Sequence, residues 1–377
     1  MEIDQSELAG YSFSCLEGCA MCCLCQPELS LAELERFRKA GLTAGLTKRH
    51  IQGYSTDMPT ALKLQGGKGA CHFLRDRRCT EYGLRPAFCR QFPVHIHALH
   101  RLQLNANLSC RGITRGGTSL AEFGNRAIGD AEPRAIAEAM ADAQYSLSSF
   151  RKEAGEAGAW KSPEETRAYG YAVLRTLREP GGIGKLLAWA DSGSGAEDPE
   201  KVAKAVNASS PPGDLQDIAM LGNMDQLDLE DPAWRPVYVD GKFRWLTYHA
   251  VADRIAVEEL AEGGATSPVA EIKAEDIMLL EPDAGALAVF GEYSALLNLR
   301  DHFLGYACWL CREERHAHDL ATVYLGALAT TMLDLWWRTC LVGKILGRGK
   351  LDGALAREGV RAFDMDCLDM PTIGLFF

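Results

Sequence analysis

Residues 15–25 read CLEGCAMCCLC, with five cysteines in eleven positions, and this stretch decides how the first third of the chain folds. Closely spaced thiols on short loops can aim several sulfurs at one point, as a tetrahedral thiolate site or an iron–sulfur cluster requires. A sparser set follows at Cys71, Cys79, Cys89 and Cys110, so that nine of the 13 cysteines lie between Cys15 and Cys110. The remaining four, Cys308, Cys311, Cys340 and Cys367, stand near the other end. Met1–Ser14 reads MEIDQSELAGYSFS, with three acids and no apolar run, so a secretory route is not indicated and a metal site in a reducing cytoplasm is expected. The candidate ligands are Cys15, Cys19, Cys22, Cys23, Cys71, Cys79, Cys89 and Cys110, enough for two four-ligand sites or for one cluster with thiols to spare.

Working outward, 377 residues at 47% hydrophobic and 24% charged make a globular chain and exclude a disordered, collagenous or short disulfide-stapled one. The net charge of −11 argues against a nucleic-acid binder, which needs concentrated Lys and Arg. That average hides an asymmetry: residues 1–120 hold 15 basic and 10 acidic side chains, the rest 25 and 41. The basic part coincides with the cysteines, where cations would stabilise an anionic thiolate centre. Leu320–Leu333 is the longest uncharged apolar run, but its 14 residues fall short of the roughly 20 of a membrane span. It predicts a buried helix in which Asp334 and Arg338, at i,i+4, pair.

Local signals divide the chain. Ser30 is placed to cap a helix carrying Leu31, Leu34 and Phe37; Leu62–Phe73 predicts a hairpin turning at Gly66-Gly67; Pro93–Leu104 alternates like a strand. Ser119-x-x-Glu122, Asp130 near Pro133, and Ser162-Pro163-x-Glu165 each predict a helix start. Asp191–Asp214, rich in Ser, Gly, Pro and acids, predicts a linker, and Val237–Tyr248 a hairpin at Asp240-Gly241. The expected fold is α+β: an irregular, metal-stabilised, Cys-rich domain over 1–120, a helical region and linker over 121–214, and an acidic, mainly helical part with a small β-hairpin element over 215–377.

The second set of thiols sits in a longer pattern, Cys71-x-Phe73-Leu74, Cys79, Tyr82, Arg85-Pro86, Cys89-Arg90, Phe92-Pro93. In order and spacing this resembles the CxxCxxCC cysteine-cluster family, also called YkgJ-type, over about residues 13–118. The resemblance implies zinc or iron chelation by the eight thiols. The chain departs from the pattern in a first gap of three residues, Cys15 to Cys19, and in Arg111-Gly112 after Cys110 where many relatives carry Pro-Gly. Without the family, Pro86 suits the first turn of a short helix that presents Cys89, and Pro93 forbids its continuation.

Cys15-x3-Cys19-x2-Cys22 also has the spacing of radical S-adenosylmethionine enzymes, but no alternating βαβ series follows. The N-terminal run resembles, more loosely, flagellin lysine N-methylase, which implies a protein substrate for the C-terminal part and S-adenosylmethionine as methyl donor. His95 and His97 would share one face of a strand, as ligands can, yet the thiols already exceed the needs of one metal. Arg111–Thr118 reads as a connector rather than an anion-holding loop, and Cys308-x2-Cys311 as small apolar residues of a buried helix. Serine-hydrolase, zincin and P-loop motifs are absent from the sequence. The leading expectation is an iron–sulfur protein for electron transfer or a redox-assisted modification. The alternatives are a zinc-stabilised module for a protein partner and a protein N-methylase.

Overall fold

The computed structural model describes residues 3–48, 60–114, 118–130, 133–193, 195–229 and 235–369. Ser30 starts the first helix, α1 (Leu31–Lys39): its Oγ accepts the Glu33 N–H at 3.3 Å while the Glu33 carboxylate accepts the Ser30 N–H at 3.0 Å. Leu34 and Phe37 form its buried stripe. Regular structure is otherwise short in this region. Strands β1 (Ile3–Asp4), β2 (Ser12–Phe13), β3 (Leu46–Lys48), β4 (Thr60–Leu62), β5 (Leu74–Arg75) and β6 (Arg78–Cys79) precede the five-residue helix α2 (Ala87–Gln91).

Two sequence expectations change here. The reversal at Gly66-Gly67 is present, but β4 pairs with β3, and only a Leu64–Cys71 bridge joins the two sides of the turn. Gly66 has φ +59°, and a Cβ there would lie 2.3 Å from the Gly263 carbonyl oxygen, so the approach of a distant loop demands glycine. Pro93–Leu104 is two strands, β7 (Val94–Ala98) and β8 (Leu102–Ala106), with the chain turning back where His100 and Arg101 reach Asp301. β1 adds in parallel to β8, and β2 pairs with β9 (Ile113–Thr114).

The helical part starts with α3 (Leu120–Asp130), α4 (Pro133–Glu156) and α5 (Pro163–Leu177), the last opened by the Ser162–Glu165 capping box. α6 (Gly182–Asp191) follows the left-handed Gly181. The expected linker holds a helix, α7 (Pro199–Ala208), whose Pro199 occupies the first helical position and whose Asp198 accepts the N–H groups of Glu200 and Lys201. A proline at that position starts a helix rather than breaking one. After α8 (Leu215–Leu227) comes an antiparallel sheet in the order β10 (Val237–Val239), β11 (Trp245–Val251), β12 (Arg254–Leu260), β13 (Thr266–Lys273). Its first connection spans 240–244, longer than a two-residue turn, because the Asp240 carboxylate accepts the N–H groups of Lys242 and Arg244 and the Arg244 guanidinium.

Helices α9 (Ala284–Leu299), α10 (Asp301–Glu313), α11 (Leu320–Ile345) and α12 (Gly353–Asp369) complete the chain, and α11 is the buried helix the sequence predicts. Asp334 and Arg338 are joined indirectly: Asn223 and Gln226 donate to Asp334 and accept from Arg338. The fold is α+β. No helix among the described residues is long and apolar enough to cross a membrane.

The Cys-rich region is fastened to the helical part by a buried charge network. Arg300, fully buried, donates to Glu7 at 2.8 Å, to Asp364 at 2.6 Å and to the Ala106 carbonyl at 2.8 Å.

Candidate metal centre

Four short segments carry the thiols. The β2–β9 ladder continues in a bond from the Ser14 N–H to the Gly112 carbonyl at 3.0 Å, which sets Cys15 beside the turn that holds Cys110. Gly112 belongs there because a Cβ would meet the Ser14 oxygen at 2.4 Å. Cys19 closes a turn onto the Leu16 carbonyl, and its own carbonyl accepts the indole N–H of Trp245, from β11, at 2.9 Å. A 3₁₀ turn over Met21–Leu24 presents Cys22 and Cys23 side by side.

Cys71 is tied to this turn, its N–H donating to the Cys23 carbonyl at 2.7 Å. Gln65 holds the same loop by donating to the Cys71 and Leu74 carbonyls. The β5–β6 pairing places Cys79 opposite Leu74. Cys89 lies in α2, which begins after Pro86 and ends before Pro93 as the sequence predicts, with the Ala87 N–H donating to Glu33 at 2.6 Å. Glu33 therefore caps α1 and anchors α2 at once.

The eight predicted thiols are thus gathered into one region, graded from buried (Cys19, Cys71, Cys110) through half-buried (Cys22, Cys23, Cys79, Cys89) to exposed (Cys15). The twelve cysteines from Cys15 to Cys340 are free thiols. Burial pushes Cys71 up to about 11 and Cys110 up to about 12, and raises Cys15, Cys19, Cys79 and Cys89 as well. Cys22 goes the other way, because the Cys23 thiol hydrogen-bonds to it and the Arg85 guanidinium stands near; Cys23, which keeps the proton, is pushed up. Arg85 also favours the thiolates of Cys15, Cys79 and Cys89, and Arg111 that of Cys19.

Among the described residues no group of three or more His, Cys, Asp or Glu side chains stands in metal-holding geometry. The donor chemistry nevertheless fits a thiophilic metal. The set is all sulfur, it sits on turns and on the short elements β6 and α2, and the nearby positive charge comes from arginines, which do not compete as ligands. A bound cation lowers thiol pKa values, reversing the effect of burial.

His95 and His97 do turn to one face, but they join a different cluster: His97 stacks between His95 at 6.3 Å and His302 of α10 at 5.0 Å between ring centroids. Cys308 and Cys311 are buried in α10, with Cys311 Sγ 3.5 Å from His316 Nδ1, and pack as core residues. Arg115–Gly117 of the connector lie outside the described residues.

Sequence reasoning passed over three residues that shape the site. Trp245 holds Cys19; Arg77 stacks its guanidinium 3.4 Å from the Trp245 ring; Arg111, next to Cys110, donates to the Val239 carbonyl at 2.6 Å and pairs with Glu358. Only Arg111 left a trace in the sequence, as the departure from Pro-Gly.

Residues 14–111 match the CxxCxxCC family model. That model is described as a "putative zinc- or iron-chelating domain", and the matched segment holds all eight thiols of the site. The match covers about a quarter of the chain and supports metal binding by this region. No curated protein and no solved structure matches the chain.

Proposed function

We propose that the Cys-rich region holds an iron–sulfur cluster used for electron transfer or for a redox-assisted modification of a protein. The observation that carries this reading is the donor set: eight free thiols from four segments, without a histidine or carboxylate among them, beside Arg85 and Arg111. Cys19, Cys22, Cys23, Cys71, Cys79 and Cys89 are the central ligands. When bound, such a cluster supplies one-electron redox chemistry. The chain's own residues position the thiol-bearing loops: Trp245 and Gln65 pin their carbonyls, and Arg85 offsets thiolate charge.

A zinc-stabilised module for a protein partner is the second reading. It is favoured by the small apolar cluster of Phe37, Leu62, Cys71 and Phe73, which is modest stabilisation for a lobe of short strands without a metal. Metal and sulfide analysis of the full chain purified without oxygen, with a visible spectrum, separates the two. Stoichiometric iron with matching sulfide and a brown colour is expected. Stoichiometric zinc in a colourless protein would overturn the iron–sulfur reading and leave the zinc module.

A further inference from the structure

The eight thiols do not share one environment. Cys19 and Cys110 are buried in the apolar cluster built on Leu8, Met21, Phe92, Ile113, Val239 and Trp245, with Cys22 packed against it. Cys71 belongs to a separate cluster with Phe37, Leu62 and Phe73, and Cys89 packs against that one. Cys23 touches both. The backbone draws the same division. The β2–β9 ladder and the Ser14–Gly112 bond join the Cys15 and Cys110 segments, while the Cys71 N–H is bonded to the Cys23 carbonyl and Cys79 stands near Cys71 and Cys23.

Cys22 and Cys23 stand at the boundary. They are consecutive residues of a 3₁₀ turn, where successive side chains point about 120° apart, so the two sulfurs leave the backbone in different directions. One thiol is thus available to each neighbourhood, and Cys23, which packs against both apolar clusters, marks where the neighbourhoods adjoin.

Resting on the metal-chelating reading above, we infer that the region contains two adjoining four-thiolate sites, Cys15, Cys19, Cys22 and Cys110 in one and Cys23, Cys71, Cys79 and Cys89 in the other, divided at the Cys22–Cys23 peptide bond. Cys25 belongs to neither.

The test loads the reduced full chain with zinc, a thiolate-binding probe that does not depend on which metal is native, and counts ions by native mass spectrometry. Two ions are expected in the wild type. Cys110→Ser should keep one, with Cys23, Cys71, Cys79 and Cys89 protected from iodoacetamide and Cys15, Cys19 and Cys22 alkylated; Cys89→Ser should show the reverse. Saturation at one ion in the wild type, or loss of both ions in either variant with circular dichroism unchanged, overturns the division. If the variants misfold, the wild type carrying one ion after partial chelation decides: protection falls on one set or the other when the division holds, and on a mixture of the two when it fails. A wild-type chain that takes up no zinc at all would instead overturn the metal-chelating reading from which the division starts.

Discussion

Replacing Trp245 by Phe should loosen the Cys19 loop without unfolding the chain. The indole is fully buried, donates to the Cys19 carbonyl at 2.9 Å and carries the Arg77 guanidinium on its face at 3.4 Å. Phe keeps an aromatic body but removes the N–H, which leaves a carbonyl in the protein interior without its donor, at a cost of about 1–3 kcal/mol. A smaller ring also weakens the cation–π contact, itself worth about 0.5–2 kcal/mol. Together these predict about 2–4 kcal/mol of local destabilisation, which at 1.36 kcal/mol per factor of ten is about 30- to 900-fold faster opening of the loop. Hydrogen exchange followed by mass spectrometry on peptides covering residues 15–25 reads this directly, with peptides of α11 as the unchanged reference. Competition with a chelator should show weaker metal retention by the same variant. Exchange of the loop within threefold of wild type, with metal retention unchanged, would refute the claim that β11 holds the thiol loop in place.

Arg300→Met leaves Glu7 and Asp364 as two buried carboxylates without their cation and should cost about 3–5 kcal/mol, measured by urea unfolding; the Glu7→Gln, Arg300→Met, Asp364→Asn triple variant should recover part of that loss, and no recovery would count against the charge argument. His97 is held down to about 3 by burial first and then by His95 and Arg300, and His302 well below 6.5 by burial first and then by His97, Arg300 and His95. Because the folded values are depressed, the unfolded chain takes up protons the folded one refuses, so this stability is fully present above 6.5 and is lost as pH falls. His97 contributes a loss of about 1.6 kcal/mol between pH 6.5 and 5, and His302 adds to it in the same direction. Urea unfolding at the two pH values should show a smaller loss in the His97→Asn, His302→Asn double variant, and equal losses would refute the assignment. Cys308→Ala should leave metal content unchanged, since Cys308 is buried in α10 among core residues; metal analysis showing a deficit would place it in the site.

Spacing alone identified the metal region. The ordered run from Cys71 to Pro93 could be read because it is built from short-range geometry: turns, a proline that starts a helix, and a proline that stops it. Capped helices were equally legible, as at Ser30–Glu33 and Ser162–Glu165, since each capping box closes within four residues. The buried α11 could be read from its uncharged apolar run. Where two local signals competed, the sequence misled: the composition of Asp191–Asp214 reads as a linker although Pro199 within it opens α7, and the alternation of Pro93–Leu104 does not reveal that the chain reverses within it.

Contacts across long stretches of chain were invisible. Trp245 meets Cys19 across 226 residues, and Arg300 meets Glu7 across 293; no periodicity or cap encodes either, because each partner is chosen by the packing of whole elements. The same holds for the histidines, whose strand position was readable but whose partner, His302, comes from a helix of the other half. Residue order therefore states which sulfurs are available and which local turns carry them. Which sulfurs become neighbours depends on where β9, α2 and the β10–β13 sheet come to rest, since a thiol two bonds from the backbone can reach only what its own loop has been brought beside.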